Sequence, residues 1–126
     1  VSDALVIVDH GSRRPEAHAH LERIAAWVRE RTSGIAVHVA HMELAQPSLA
    51  SAIARCAAEG ARRIVVHPLF LGPGRHLVED IPRLVAETAR AHPGIEVRIS
   101  AAVGEVPAIA DAILAAVGLD PPPDSR

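Results

Sequence analysis

Short apolar runs alternate along this chain with longer stretches in which apolar residues recur every three or four positions. ALVIVDHGS (4–12) opens as an unbroken apolar run and closes on His10-Gly11, the pattern of a buried strand running into a turn. Pro15 then opens a helix with Leu21, Ile24, Ala25 and Val28 on one stripe. GIAVHVAHM (34–42) sets Ile35, Val37 and Val39 against Ala36, His38 and Ala40, the alternation of a half-buried strand. Pro47 opens a second helix, with Leu49, Ala52, Ile53, Cys56 and Ala57 at helical spacing and Gly60 as its cap. RIVVHPLFL (63–71) is the second continuous apolar run. Ile81, Leu84, Val85, Thr88 and Ala89 make a third helical stripe, with Pro82 tolerated in its first turn. IEVRIS (95–100) alternates again, and residues 105–117 read as a last helix with Ile109, Ile113 and Val117 inward. A domain over residues 1–118 and a flexible tail over 119–126, which ends DPPPDSR, complete the division.

This is a strand–helix unit repeated four times, with strands starting near 4, 35, 63 and 95. Such alternation predicts an α/β fold, doubly wound: a single four-stranded parallel sheet with helices on both faces. The two continuous runs, first and third, belong in the centre, and the two alternating strands at the edges. Right-handed crossovers then give strand order 2-1-3-4.

Composition narrows what such a domain does. With 126 residues, 49 % of them apolar, the chain can bury a substantial core. Aromatic residues are only 2 %, so that core is aliphatic and no base-stacking platform is expected. The formal charge of −2, with positive residues scattered, leaves no nucleic-acid footprint. All 13 basic residues are arginine, which grips carboxylates bidentately, so an anionic ligand fits. The single Cys56 excludes an internal disulfide and any cysteine-based zinc site. No stretch reaches the roughly 20 apolar residues of a membrane span, and the opening VSD shows no signal peptide. The expected location is therefore the cytoplasm, without a membrane partner. Eight histidines are the compositional oddity.

Open α/β sheets bind ligands beyond the carboxyl ends of their strands, where the strand order reverses. Three of the four predicted ends carry histidine or glutamate: His10 after the first strand, His41 and Glu43 after the second, His67 and then His76 after the third. His10 lies at the switch point, and His76 follows the Gly72-Pro73-Gly74 loop, which leaves room for a substrate to approach. His67, just before Pro68, reads as a structural residue, and His18, His20, His38 and His92 read as surface. Asp80 reads as the cap of the third helix, with orientation of His76 as the alternative. Two imidazoles and a carboxylate on convergent loops suit a divalent first-row metal, although the spacing matches no local zinc motif.

The stretches VDHGSR (8–13), MELAQPSL (42–49) and GARRIVVHPLFLGPGRHLVEDIP (60–82) resemble the small CbiX-type sirohydrochlorin chelatases, class II chelatases of cobalamin and siroheme biosynthesis. The resemblance runs over about residues 4–117, and its most specific part is PLFLGPGRHLVEDIP (68–82). It implies insertion of a divalent metal into a sirohydrochlorin-type tetrapyrrole. Cobalt or iron is the implied metal, with nickel also compatible; it is a substrate, and no tightly bound cofactor is implied. The family's metal-binding and catalytic residues fall on His10, Glu43 and His76. A homodimer with facing sites is also implied, since larger relatives carry two such domains. No His-rich segment is present, so metal storage on a tail is not expected.

The chemistry asks for these residue types. Two pyrrole N–H protons must leave as the metal enters, and neutral imidazole or carboxylate can hold a metal and accept a proton. A many-carboxylate macrocycle also needs cations and an apolar wall. Arg13, Arg14 and Arg75 lie on the same loops as the two histidines, with Ser12 beside the first pair; Leu44, Leu69, Phe70, Leu71 and Leu77 supply the wall. A carrier of metal or tetrapyrrole on the same fold would have nearly the same sequence and is told apart by turnover. Phosphoryl transfer through His10 is disfavoured by the adjacent Asp9, and no phosphate-binding glycine motif supports a nucleotide module.

Overall fold

The computed structural model describes residues 3–119, with side chains throughout that range except those of His76 and Leu77. Residues 120–126 of the expected tail therefore lie outside the described residues. Four strands alternate with four helices: β1 (Asp3–Asp9), α1 (Pro15–Glu30), β2 (Ile35–His41), α2 (Leu49–Ala58), β3 (Arg63–Pro68), α3 (Ile81–Ala91), β4 (Glu96–Ile99) and α4 (Ile109–Ala116). A π-helical turn (His76–Asp80) leads into α3, and a single 3-10 turn (Val103–Glu105) precedes α4. The strands form one parallel sheet in the order β2-β1-β3-β4, as the crossover rule predicts.

Two cores flank the sheet. On one face Ala4, Val6 and Val8 of β1 and Ile64 and Val66 of β3 bury against α2 (Leu49, Ala52, Ile53, Cys56) and α3 (Ile81, Val85). On the other, Ile7, Val37 and Val39 bury against Leu21 and Ala25 of α1. The helical stripes of α1, α2 and α3 are thus the ones the periodicity gives. β3 is central yet not buried on both faces: Ile64, Val66 and Pro68 are buried, while Val65 and His67 are only half-buried, because α1 covers β1 and β2 rather than β3.

Local corrections follow from backbone chemistry. α2 begins at Leu49, not Pro47, because Ser48 is its N-cap: Ser48 Oγ accepts from Ser51 N at 3.1 Å. Pro47 stands one residue ahead of the cap, where its carbonyl accepts from His41 N at 2.9 Å. Asp80 makes no capping hydrogen bond to α3, and its Oδ1 accepts from Arg83 Nη2 at 3.4 Å. The expected helix over 105–117 is divided, because Pro107 has no N–H to continue the 3-10 turn into α4.

α4 departs furthest from expectation. Its inward face was to be Ile109, Ile113 and Val117, yet no residue of α4 is buried, and Ile113 and Val117 are 58 % and 63 % exposed. The cause lies upstream. Gly104 N donates to Phe70 O at 3.0 Å, and a Cβ at Gly104 would stand 1.7 Å from Leu71 O. This close approach pins the chain to the loop after β3, and α4 starts there instead of lying on the sheet.

Candidate functional site

β1 and β3 are the neighbours from which the crossovers diverge, so the crevice at the sheet's carboxyl end opens beside Asp9 and Pro68. His10 leaves β1 at this point. Its ring stacks on Phe70 with centroids 4.1 Å apart and an interplanar angle of 15°. Phe70 is 5 % exposed and anchored in the α2/α3 core, so it is a fixed floor for the imidazole. The loop after β3 is held alongside, because Leu69 N donates to Val8 O at 2.8 Å.

Glu43 is brought to the same place by main-chain contacts. The β1–β2 ladder continues past the strands: Met42 N donates to Asp9 O at 2.9 Å and Glu43 N to His10 O at 3.2 Å. Gly11 has φ +102°, and a Cβ there would lie 1.8 Å from Glu43 O, so only glycine permits this closeness. Leu44, immediately after, has φ +69°. A bulky residue in the left-handed region is strained, and such strain gathers at sites that the surrounding structure over-determines. His10 and Glu43 are both exposed at this end of the sheet.

The third expected ligand enters by its main chain. His76 begins the π-helical turn that follows the 69–75 loop, with Val78 N donating to Gly74 O at 2.9 Å. Its side chain lies outside the described residues, as does that of Leu77. π-helical turns are rare, and many mark functional positions. Cβ atoms placed on Gly72 or Gly74 would meet nothing within 4 Å, so this loop borders open space.

The expected anion-binding residues are less closely gathered. Arg13 and Arg14 are exposed, and Arg14 is the N-cap residue of α1; its N–H donates to Ser12 Oγ at 3.0 Å, a bond in which that hydroxyl is the acceptor. Arg75 is exposed and lies 3.6 Å from Glu79 within the π-helical turn. Leu71 is 75 % exposed, so an apolar side chain stands at the mouth of the crevice.

Two histidines read as surface are not. His38 Nε2 lies 2.8 Å from Glu59 Oε1, and this imidazole holds the Glu59 carboxyl below its usual range. His18 is half-buried, hydrogen-bonded through Nε2 to Ser12 O, with its ring 5.1 Å from that of His41. His41 itself is buried and bonded to Asp9. Its signal in the sequence is that it continues the inward positions of Val37 and Val39 with a polar ring. His67, expected as a structural residue, is tied to the neighbouring loop: Ser100 Oγ donates to Ala101 O at 2.9 Å, so His67 Nδ1–H donates to Ser100 Oγ at 2.8 Å. Burial pushes the His67 pKa down. A cavity of about 390 Å³, lined by Leu5, Arg63, Val65 and Arg98, lies at the opposite end of the sheet and contains none of the site residues.

Known proteins resemble this chain in sequence and in fold. Over 103 residues the chain is 47 % identical to the chloroplastic sirohydrochlorin ferrochelatase of Arabidopsis thaliana, covering 82 % of this chain and 46 % of that one. It is 41 % identical over 83 residues to the sirohydrochlorin cobaltochelatase of Methanocaldococcus jannaschii, covering 66 % and 58 %. The chain thus spans about half the length of these curated relatives. Among solved structures, a CbiX protein of Marinobacter aquaeolei VT8, described as one of cobalamin biosynthesis, superposes with a TM-score of 0.80 at 30 % identity over 92 % of this chain and 94 % of that one. The CbiX family model matches residues 4–118, which takes in all four strands and both loops that meet at Gly11. By that match this chain belongs to the CbiX family.

Proposed function

We propose that this chain is a sirohydrochlorin metal chelatase, inserting cobalt or iron into a sirohydrochlorin-type tetrapyrrole on the way to cobalamin or siroheme. The observation that carries the reading is the main-chain pairing of the His10 and Glu43 loops at the switch point of a CbiX-family sheet. Relatives that insert iron and cobalt support the choice of reaction.

In this reading His10, Glu43 and His76 bind the metal and carry the catalysis. Phe70 fixes the plane of the His10 ring, so its nitrogen lone pairs are aimed before the metal arrives, which removes an ordering cost at the reacting step. Two imidazoles and one carboxylate leave coordination positions open, as a metal that must depart requires. As the metal enters the macrocycle, the pyrrole protons pass to the imidazole or carboxylate that releases it. Arg13, Arg14 and Arg75, with Ser12, hold the macrocycle's carboxylates, and Leu71 gives its face an apolar wall. The metal is a substrate, and no tightly bound cofactor takes part.

The domain covers residues 1–118, with 119–126 as a tail. It works as a homodimer with facing sites. The support is α4: the stretch VPAIADAILAAVGL (106–119) carries one charged residue, Asp111, and leaves Ile113, Val117 and Leu119 exposed. Exposed apolar surface of this kind, almost free of charge, is the usual composition of a subunit interface core. No described helix is long and apolar enough to cross a membrane, and we place the chain in the cytoplasm.

The test is anaerobic absorbance spectroscopy of sirohydrochlorin with cobaltous or ferrous ion, with and without protein. Wild type should accelerate appearance of the metallated spectrum. His10→Ala and His76→Ala should each lower that rate about 100-fold or more, the usual loss when a positioned acid–base group is removed. Glu43→Gln keeps the shape and should also slow turnover. A spectral shift on binding without acceleration would replace the enzyme by a carrier of metal or tetrapyrrole. Wild-type rates from folded His10→Ala and His76→Ala would remove the site assignment.

A further inference from the structure

The ends of β1 and β2 carry a polar pair, its histidine buried and its aspartate partly exposed, for which metal insertion has no direct use. His41 is 3 % exposed, on the face where β2 otherwise places Val37 and Val39. A valine would continue that packing. Instead an imidazole stands there, and its Nδ1–H donates to Asp9 Oδ1 at 2.7 Å. Asp9 and His41 are the last residues of β1 and β2 and are register partners.

Everything beyond this pair belongs to the site loops. The next two main-chain bonds, Met42 N to Asp9 O and Glu43 N to His10 O, join the segments that carry His10 and Glu43. His41 N is bonded to Pro47 O, so the loop 42–47 both leaves and returns at this residue. His18 packs its ring beside His41 and bonds the Ser12 carbonyl, fastening the 10–14 loop from the same side. His10 stacks on Phe70, which belongs to the core on the opposite face of the sheet. Asp9 and His41 therefore act on His10 and Glu43 through main chain.

We propose that His41 and Asp9 are positioning residues, which set the height and direction of the His10 loop against the Glu43 loop and so govern turnover. The proposal rests on the metal-insertion reading of the same site. A hydrogen bond between two strand-end side chains fixes their relative rotation, whereas apolar contact at this position would fill the space without specifying direction. Partners that orient metal-binding groups from behind commonly contribute 10–100-fold to affinity or activity.

The experiment compares His41→Leu, which fills the space without a donor, with His41→Asn, whose Nδ2 can donate to Asp9 as Nδ1 does. Thermal unfolding, kcat and KM for sirohydrochlorin, and a visible-absorbance titration with cobalt(II) chloride alone are measured for each. His41→Leu should lower kcat about 10–100-fold with KM changed less than about twofold, weaken cobalt binding and alter its spectrum, while His41→Asn recovers most of the loss. If His41→Leu does not fold, Asp9→Ala at the partly exposed end of the pair takes its place with the same expectation. Native kcat and cobalt spectrum in the leucine variant would overturn the proposal. So would an asparagine variant that folds yet fails as badly as leucine. Should wild type insert no metal, the chelatase reading falls, and the cobalt titration alone decides: loss by leucine with recovery by asparagine upholds positioning, and three identical titrations overturn it.

Discussion

His67 stands nine residues before His76, half-buried at the end of β3. His67 donates to Ser100, and its half-buried ring titrates below the usual histidine value because burial disfavours the charged form. In the unfolded chain the same imidazole takes up its proton near pH 6.5. Between the lowered folded value and about 6.5 the unfolded state binds more protons, so stability rises with pH there. The contribution is complete above about 6.5 and is lost as pH falls toward the folded value. Urea unfolding at a series of pH values should show wild type losing stability over this window and His67→Asn, which retains a donor for Ser100, losing less. At this scale the sequence offers His10 and Glu43 as candidates because the ends of predicted strands are where α/β sheets bind ligands. The same reading reaches His41 but not its role: burial of a polar ring depends on Asp9, and nothing in the spacing of the two shows that they pair. Phe70 likewise reads as a generic apolar wall until its ring is seen beneath His10.

Among the elements, the decisive devices are two close main-chain approaches rather than any helix. Gly11 lies against the Glu43 carbonyl and Gly104 against that of Leu71. Gly11→Ala meets a main-chain clash at positive φ and should cost about 2 kcal/mol or more, at the upper end of ordinary single substitutions. Gly74→Ala, with open space around its Cβ, should be within about 0.5 kcal/mol of wild type. Chemical denaturation of the two variants checks the contrast; equal stability would mean that the loops part easily. Helix stripes in α1, α2 and α3 were legible because each buries one face on the sheet. The last helix was not, because its apolar spacing is real while the contact of Gly104 with the loop after β3 sets where it starts and leaves that face exposed. Periodicity states that a face wants burial and is silent on where.

For the whole molecule, strand order followed from alternation and handedness, and the uncovered side of the sheet did not. A four-unit fold whose final helix is held at the loop after β3 leaves much of that helix and the outer face of β3 and β4 uncovered among the described residues. Light scattering should give twice the chain mass for wild type. Ile113→Glu, which sets a charge in the middle of the exposed apolar stretch, should weaken association by at least about tenfold, since a charge buried without a partner is costly. A wild-type monomer at the same concentration would refute the homodimer while leaving the proposed chemistry in place.

The contacts at Gly11 and Gly104 have a bearing on how such a scaffold diversifies. Both are made by backbone atoms, and beyond the glycine each requires, they do not depend on the other side chains carried by the loops they join. In the proposed reading, positions 10, 43 and 76 can then exchange one donor type for another with little change in loop placement, so donor type becomes one lever on preference among first-row metals, beside the geometry that aims the donors. If the chain inserts a metal as proposed, metal choice is in this sense partly detachable: donors could change by single substitutions while the backbone contacts beneath stayed as they are.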